Sequence, residues 1–272
     1  MTKATAIIPA RSGSKSIIDK NLASLGGFPL IAYSIAAAKL SSSIGRVIVS
    51  TDSEQYAEIS RFYGAEVPFL RPDDLSSDTA TDIGFMQHAM NWFDDNESET
   101  SEYWVHLRPT TPLRDPALID SALKIISTRT DATALRSAFP CAESPFKWFR
   151  HSNDGFLMSL TTEETDLDRF NLPRQMYPKV FVPDGYVDIV RRSFVKKSGL
   201  LHGDKVVGFI SPVCTEVDSL EELKRLEYEI STHGSQLLDY LRKVKLNMAG
   251  TGFSHKPKDI LKISISQSCD DI

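Results

Sequence analysis

Short apolar runs alternate with amphipathic helical patterns along most of this chain, and this alternation restricts the fold more than any other feature. The runs lie at residues 6–9, 47–50, 103–107 and 206–210. Apolar residues three or four positions apart follow Ser53, Thr79, Asp115 and Ser219. Strands that alternate with helices are typical of a parallel sheet with helices on both faces. The sequence therefore predicts an α/β, three-layer, Rossmann-like fold with a mostly parallel sheet.

Helix-capping patterns mark where these helices begin. Ser53 is a candidate N-cap, Asp115 precedes a proline at the first helical position, and Ser219 with Glu222 forms a capping-box pattern. The apolar stripe after Thr79 predicts a helix that starts near Asp78 and Thr79. We interpret all these stripes as faces that pack on the core.

Composition excludes several classes of protein. The chain has 272 residues, 25% of them charged, with a net charge of −5, which disfavours a broad nucleic-acid surface. It has neither an apolar run long enough to span a membrane nor the apolar stretch of a signal peptide, so we expect a cytoplasmic protein. The spacing of Cys141, Cys214 and Cys269 fits neither a disulfide framework nor a zinc site.

The first apolar run leads directly into a short loop that can hold a phosphate chain. Small residues at 12–14 allow backbone N–H groups to turn toward an anion, and Arg11, Lys15 and Lys20 add three positive charges. The spacing matches neither the G-x-x-x-x-G-K-[ST] loop nor the dinucleotide fingerprint. A glycine that only turns the chain, among solvated cations, is the alternative interpretation.

An acidic pair lies about two hundred positions later. Glu216 and Asp218 are two apart, so on an extended strand they share a face. Mg²⁺ prefers one or two carboxylates together with phosphate oxygens and water. We expect Asp218, and then Glu216, to bind Mg²⁺; the alternative is that Asp218 only caps the following helix.

Several ordered motifs together resemble the acylneuraminate cytidylyltransferase family. The opening pattern is Ile8-Pro9-Ala10-Arg11-x-Gly13-Ser14-Lys15, followed by Lys20-Asn21. Further matches follow at residues 49–52, 71–72, 78–79, 108–114 and 216–218, so the resemblance covers about residues 4–232.

The resemblance implies a nucleotidyltransferase that uses CTP to activate a 2-keto-3-deoxy acid sugar and releases pyrophosphate. Arg11, Lys20 and Asp218 are the expected catalytic residues. The expected nucleotide-binding residues are Ala10, Arg11, Ser12, Gly13, Ser14, Lys15, Lys20, Asn21, Arg71 and Thr79. The candidates for binding the sugar are Arg108, Thr110, Thr111, Arg114, Arg136, Lys147, Arg174 and Gln175. An arginine fork is the natural partner for the sugar's carboxylate.

Three positions depart from the family pattern. Arg108 stands where the family has glutamine, Asp184-Gly185-Tyr186 where it has Asn-Gly-Ala, and Glu216 where it has aspartate. The first two positions lie on the expected sugar side. They favour an acceptor other than ordinary sialic acid, either a legionaminic- or pseudaminic-type sugar or a different acid sugar altogether.

Residues 140–183 interrupt the alternation with five prolines and several aromatic residues. The resemblance implies that this inserted segment crosses a homodimer and acts as a lid; a simple packed excursion would have the same composition. We expect residues 1–233 to form the nucleotidyltransferase domain and residues 234–272 a C-terminal extension with a loosely ordered end.

Two further functions stay open from the sequence. One is a nucleotidyltransferase that joins GTP or UTP to a sugar phosphate. The other is a non-catalytic nucleotide-binding relative.

Overall fold

The computed structural model describes residues 3–98, 100–163 and 165–250. The expectation of a loosely ordered end at residues 266–272 therefore lies outside the described residues. Within the described ranges, none of the helices combines the length and the apolar character needed to cross a bilayer.

The described residues form ten strands and seven α-helices. The strands are β1 (Ala4–Pro9), β2 (Ser24–Leu25), β3 (Phe28–Pro29), β4 (Ile44–Ser50), β5 (Tyr103–His106), β6 (Ala134–Pro140), β7 (Phe149–His151), β8 (Leu157–Ser159), β9 (Phe181–Arg191) and β10 (Val206–Ile210). The helices are α1 (Leu30–Leu40), α2 (Glu54–Phe62), α3 (Asp82–Asn96), α4 (Pro116–Thr128), α5 (Arg192–Ser198), α6 (Leu220–His233) and α7 (Gln236–Gly250).

Six strands form the central sheet in the order β10-β6-β9-β5-β1-β4. All are parallel except β9, which runs antiparallel to β5 and β6. This confirms the predicted α/β fold with a mostly parallel sheet. The chain passes from β1 to β4 on one side and then to β5 on the other, so strand order reverses at β1. Ligands of such sheets bind beyond the carboxyl ends of the strands at this point.

Each face of the sheet has its own apolar layer. Ile8 and Val49 belong to the larger layer, together with α1, α4 and the apolar faces of α6 and α7. Ile7 and Ile48 point to the opposite face and pack beneath α3 and α5. Alternate residues of a strand point to opposite faces, which is why neighbouring residues of β1 serve different layers.

The predicted helix caps are present, with one shift. The Ser53 hydroxyl accepts from Tyr56 N, Asp115 Oδ1 accepts from Ala117 N, and Ser219 with Glu222 forms the capping box. Helix α3, however, begins at Asp82 with Thr81 as its N-cap, not at Asp78 and Thr79. The two predicted residues lie instead in the preceding turn, where the Asp78 carboxylate contacts the loop after β1.

The inserted segment contains the β7–β8 hairpin and leaves large apolar side chains exposed. Phe149 packs edge-on against Phe170 at 5.6 Å between ring centroids, and Phe146 stacks on Tyr177 at 6.3 Å. These contacts stay within the segment. Its exposed apolar side chains include Trp148, Phe156, Leu157, Leu160, Leu172 and Met176.

Candidate active site

The loop after β1 is held open by a carboxylate from the neighbouring strand. Asp52, just after β4, accepts from Ser12 N at 2.8 Å and from the Ser12 hydroxyl at 2.7 Å. Gly13 adopts a φ of 68°, a left-handed conformation that favours glycine. The Asn21 amide donates to Arg11 O at 2.9 Å and so connects the two ends of the loop. The backbone is thus shaped by contacts on both sides.

Two cations of this loop converge on one carboxylate. Arg11 Nη2 lies 2.8 Å from Asp78 Oδ1, and Lys15 Nζ lies 2.5 Å from Asp78 Oδ2. Hydrogen bonds from Lys15 and Arg11 hold the pKa of the Asp78 carboxyl below its usual range. An anion therefore already occupies the place where two predicted phosphate ligands meet.

The third cation reaches the acidic pair predicted far along the chain. Lys20 Nζ lies 2.8 Å from Asp218 Oδ1, and the Asp218 side chain is 67% exposed. Glu216 Oε1 accepts from the Thr110 hydroxyl at 2.9 Å, and Val217 N donates to Thr110 O at 2.7 Å. The acidic segment is therefore bound to the loop after β5, directly beside the cationic loop.

Arg71 lies buried at the same edge of the sheet. Its Nε donates to the Ser50 hydroxyl at 3.0 Å, its Nη2 donates to Ser50 O, and its guanidinium lies over the Phe85 ring. Burial lowers the pKa of Arg71 to about 10. Thr79 is exposed, with its hydroxyl 3.3 Å from that of Ser77. Arg71 is therefore fixed at the end of β4, and Thr79 lies in the exposed turn before α3.

The guanidinium of Arg108 is already bonded to two carboxylates. Its Nη1 donates to Asp188 Oδ2 at 3.0 Å and its Nη2 to Asp82 Oδ2 at 2.7 Å. On the other side of Asp188, Arg136 Nε lies 3.5 Å from Oδ1. His106 is buried beside these charges, and burial together with the positive charge of Arg108 lowers the pKa of His106 to about 4. The negative charges of two carboxylates and the positive charges of two guanidiniums thus cancel around a neutral imidazole.

Arg114 and Thr111 are buried, which does not favour the substrate contact expected from the sequence. Arg114 donates to the carbonyl oxygens of Tyr186, Gly185 and Arg108 and to the Ser34 hydroxyl. It is 2% exposed, so protein acceptors already occupy its fork. The Thr111 hydroxyl likewise donates to Asp184 O at 3.3 Å. Both residues shape the loop after β5 from inside.

The remaining sugar-binding candidates belong to the inserted segment. Lys147 Nζ donates to Leu172 O at 3.0 Å, and Arg174 Nη2 donates to Cys141 O at 2.6 Å. Gln175 is exposed nearby. These residues contact their own segment and not the Arg108 cluster.

The departure at Asp184-Gly185-Tyr186 has a structural explanation. Asp184 Oδ1 accepts from the Ser137 hydroxyl and Tyr186 N, and Oδ2 accepts from the Ser211 hydroxyl. The carboxylate therefore connects β9 to β6 and to the end of β10. Gly185 has a φ of 60°, and a Cβ there would lie 3.1 Å from Arg108 Nη1.

Four residues of the site were not among the predicted site residues: Asp52, Asp78, Asp82 and Asp188. Asp52 was nevertheless part of the matched motif at residues 49–52, and its position just after β4 predicted that it lies at the same edge of the sheet as Arg11. From the sequence, Asp188 could orient the attacking hydroxyl or simply end a strand; the pairing of β9 between β5 and β6, which no local pattern predicts, brings it next to Arg108 and Arg136.

The sequence predicts a Mg²⁺ site at Asp218 and Glu216. The described residues contain no group of three or more His, Cys, Asp or Glu side chains that could hold an ion. Asp218 and Glu216 supply two carboxylates next to the cationic loop, and Mg²⁺ is ordinarily bound by one or two carboxylates plus substrate phosphates. The residues present therefore fit a metal shared with a nucleotide.

The fold and this edge of the sheet define an α/β protein in which a cationic loop lies beside an acidic pair. The family model of the cytidylyltransferases matches residues 5–140, half of the chain. The chain belongs to this cytidylyltransferase family.

Curated proteins are similar to this chain over alignments of different length. The chain is 46% identical to an N-acylneuraminate cytidylyltransferase of Escherichia coli over 127 residues, 47% of this chain and 29% of that protein. It is 42% identical to a CMP-N,N'-diacetyllegionaminic acid synthase of Legionella pneumophila over 126 residues, 44% of this chain and 51% of that protein. The matches thus span less than two thirds of either relative. A post-translational flagellin modification protein B of Campylobacter coli is 29% identical and matches along its full length, over 88% of this chain.

Solved structures share the fold. A CMP:2-keto-3-deoxy-manno-octonic acid synthetase complexed with CTP superposes with a TM-score of 0.61 at 15% identity, covering 85% of this chain and 99% of that chain. A cytidylyltransferase from Leptospira borgpetersenii gives a TM-score of 0.57 at 15% identity, covering 92% and 96%. At this identity the likeness establishes the fold.

Proposed function

We propose that this protein is a cytidylyltransferase that joins CTP to a 2-keto-3-deoxy acid sugar of the nonulosonate class and releases pyrophosphate. The observation that carries the proposal is the 2.8 Å contact between Lys20 and Asp218, which brings the cationic loop and the acidic pair to one place. The names of the relatives, which include N-acylneuraminate, legionaminic acid and pseudaminic acid cytidylyltransferases, support the same substrate class.

The reaction needs alignment more than covalent help. The anomeric hydroxyl oxygen of the sugar attacks the α-phosphorus of CTP, the bond from that phosphorus to the β-phosphate oxygen breaks, and the hydroxyl proton leaves to solvent. Arg11, Lys15 and Lys20 would neutralise the charge that develops on the departing pyrophosphate. The N–H groups of Gly13 and Ser14 would add further donors, whereas Ser12 N already donates to Asp52.

Asp218 and Glu216 would hold Mg²⁺ together with the phosphates. When bound, the ion supplies charge neutralisation and a fixed orientation for the triphosphate. Glu216 is one methylene longer than aspartate and already accepts from Thr110, which favours contact with the ion through water. Asp218, more exposed, is the more direct ligand.

The base would bind against Ala10, Ser12, Arg71 and Thr79. Ala10 N donates to Ser50 O, and Arg71 is bonded to the same residue, so the floor of this pocket is built on the end of β4. A rigid floor of backbone and short polar groups suits a pyrimidine. The charged cluster around Arg108 then adjoins the acceptor, and its difference from the family pattern favours a sugar other than ordinary sialic acid.

We also propose that the protein is a cytoplasmic homodimer formed through the inserted segment. Phe156 is 70% and Met176 68% exposed, and large exposed apolar side chains are typical of protein interfaces. We expect F156E and M176E to shift the protein toward monomers in analytical ultracentrifugation; a monomeric wild type would contradict the dimer.

The decisive test of function is pyrophosphate release with CTP and four acid sugars: N-acetylneuraminic, N,N'-diacetyllegionaminic, pseudaminic and 2-keto-3-deoxy-manno-octonic acid. We expect sugar-dependent release that stops on addition of EDTA. ATP, GTP and UTP serve as comparison nucleotides in the same assay. Preference for a purine nucleotide, or binding of CTP without turnover of any sugar, would contradict the proposal.

A further inference from the structure

The register of the sheet brings three polar side chains into one line. In β9, Asp188 lies opposite His106 of β5 on one side and opposite Arg136 of β6 on the other. Residues directly opposite one another on neighbouring strands point to the same face. We call Arg136, Asp188 and His106 the polar row.

The row is closed at one end and open at the other. Beyond His106 the next strand places Ile7, which packs in the apolar layer beneath α3. Beyond Arg136 the next strand places Gly208, where an added Cβ would meet no atom within 4 Å. Space therefore adjoins the row on the side of Arg136.

Several buried atoms of this region have no hydrogen-bond partner among the described residues. They are Asp188 Oδ1, Arg136 Nε, both ring nitrogens of His106 and His202 Nε2. Buried polar atoms in native proteins are almost always bonded to protein or to a bound molecule. Asp188 Oδ1 and Arg136 Nε contact each other only as a 3.5 Å ion pair, so this end of the row is where a polar partner would add hydrogen bonds.

The three arginines of the region differ in what they can still bind. Arg114 is buried and bonded to four protein oxygens, and Arg108 already bridges the Asp188 and Asp82 carboxylates. In the described part of the chain, the one ion pair of Arg136 is the 3.5 Å approach of its Nε to Asp188 Oδ1, and its Nη groups donate no hydrogen bond there. Its side chain is 37% exposed, so both of its Nη groups remain available.

We propose that Arg136 binds the carboxylate of the acid-sugar acceptor and that Asp188 is the positioning residue that orients it. This assignment rests on the function proposed above. The planar guanidinium of arginine matches a carboxylate with two parallel hydrogen bonds. Asp188, with its side chain 1% exposed, lies between Arg136 and Arg108 and fixes the orientation of both. Arg108 in turn connects the polar row to α3 through its ion pair with Asp82, the first residue of that helix.

The test compares each variant on two forms of one acceptor. The acid sugar that the wild type uses best is assayed beside its C1 carboxamide, which has the same shape without the negative charge. We expect R136Q to lower kcat/KM for the acid by about tenfold to a hundredfold and to change that for the carboxamide by less than about threefold. R136K should restore part of the loss, and the KM for CTP should stay within about threefold in every variant.

Two further variants separate positioning from general damage. D188N should also reduce the preference for the acid over the carboxamide while the KM for CTP is unchanged. Arg129, an exposed arginine just after α4, provides the control, and R129Q should match the wild type on both acceptors.

The outcomes distinguish this assignment from the proposed function. A wild type that turns over no acid sugar would overturn both. If the wild type turns over an acid sugar, two results would overturn the assignment alone. R136Q would either lower kcat/KM equally for the acid and the carboxamide or lower neither value. Arg136 would then have only a structural role.

Discussion

Lys20 and Asp218 are 198 residues apart in the chain, and Lys20 Nζ lies 2.8 Å from Asp218 Oδ1. Lys20 ends the cationic loop after β1, whereas Asp218 follows β10 and precedes α6. The Lys20 side chain is 13% exposed and that of Asp218 67% exposed, so the carboxylate faces solvent where a nucleotide would enter. This contact places the predicted phosphate site and the predicted metal site together.

The first prediction concerns turnover and binding at Asp218. D218N keeps the shape of the side chain and removes the charge that would hold the metal. We expect kcat to fall by about a thousandfold or more, since metal-assisted charge neutralisation contributes several kcal/mol to such reactions. The metal-free Kd of CTP should stay within about threefold or tighten, because Lys20 loses its carboxylate partner.

The matched control for this variant is E221Q, which neutralises an exposed carboxylate in the first turn of α6. It should leave both kcat and the Kd of CTP unchanged. Equal losses in the two variants, measured by pyrophosphate release and calorimetry, would contradict a role specific to Asp218.

A second prediction follows from the position of Asp78. Its carboxylate lies against both Arg11 and Lys15, so an incoming triphosphate must displace it. We expect D78N to lower the Kd of CTP by about twofold to tenfold, the modest effect typical of exposed ion pairs. D74N, in the same loop but without such a contact, is the control. Weaker CTP binding by D78N would mean that Asp78 supports the loop instead of competing with phosphate.

A third prediction concerns stability and pH. Burial, with the nearby charge of Arg108, lowers the pKa of His106 to about 4, against about 6.5 in an unfolded chain. Between these values the unfolded state binds the proton and the folded state does not. The free energy of unfolding should therefore fall as pH drops from about 6.5 to about 4, by up to about 1.4 kcal/mol per pH unit.

H106Q should flatten this slope in urea unfolding experiments between pH 7 and pH 4.5. The neighbouring charges of Arg108, Asp82 and Asp188 stay in the variant. Burial also lowers the pKa of His88 and of His202, so part of the wild-type slope should persist. H233Q, at the exposed end of α6, should keep the full slope. An H106Q slope equal to that of the wild type would show that His106 does not govern acid stability.

A fourth prediction addresses the carboxylate that joins three strands. Asp184 accepts from the hydroxyls of Ser137 and Ser211 and from Tyr186 N while it is buried. D184A leaves these donors without a partner, and we expect a loss of about 2–4 kcal/mol in the free energy of unfolding. D204A, at an exposed position before β10, should stay within about 0.5 kcal/mol of the wild type. Denaturant titration of both variants measures the difference.

Local signals predicted the elements that have one buried and one exposed face. The capping box at Ser219 and the proline start at Asp115 identified α6 and α4 because these helices carry their own boundaries in sequence. Helix α1 was not predicted, since nine of its eleven residues are buried and no amphipathic stripe marks it. Strand β9 was missed because it contains Pro183 and Gly185, which are unusual inside a strand. In the structure it runs antiparallel between β5 and β6.

The same distinction holds for the site. Arg11, Lys15 and Lys20 occur within one short loop, so their proximity could be predicted from local sequence. The partners that orient them, Asp78 and Asp218, depend on where distant loops pack. Arg114 illustrates the opposite case, because its charge predicted a ligand contact whereas burial gives it protein acceptors. The pattern of charges in the sequence identifies candidate ligand-binding residues. The packing of the fold then determines which of their hydrogen-bond donors remain free for a ligand.

The most direct measurement is a crystal structure of the protein with CTP and Mg²⁺. We expect the triphosphate to lie between Arg11, Lys15 and Lys20, with the ion held by Asp218 at the same phosphates. CTP bound elsewhere, or bound with Asp218 in a separate pocket from the loop after β1, would contradict it.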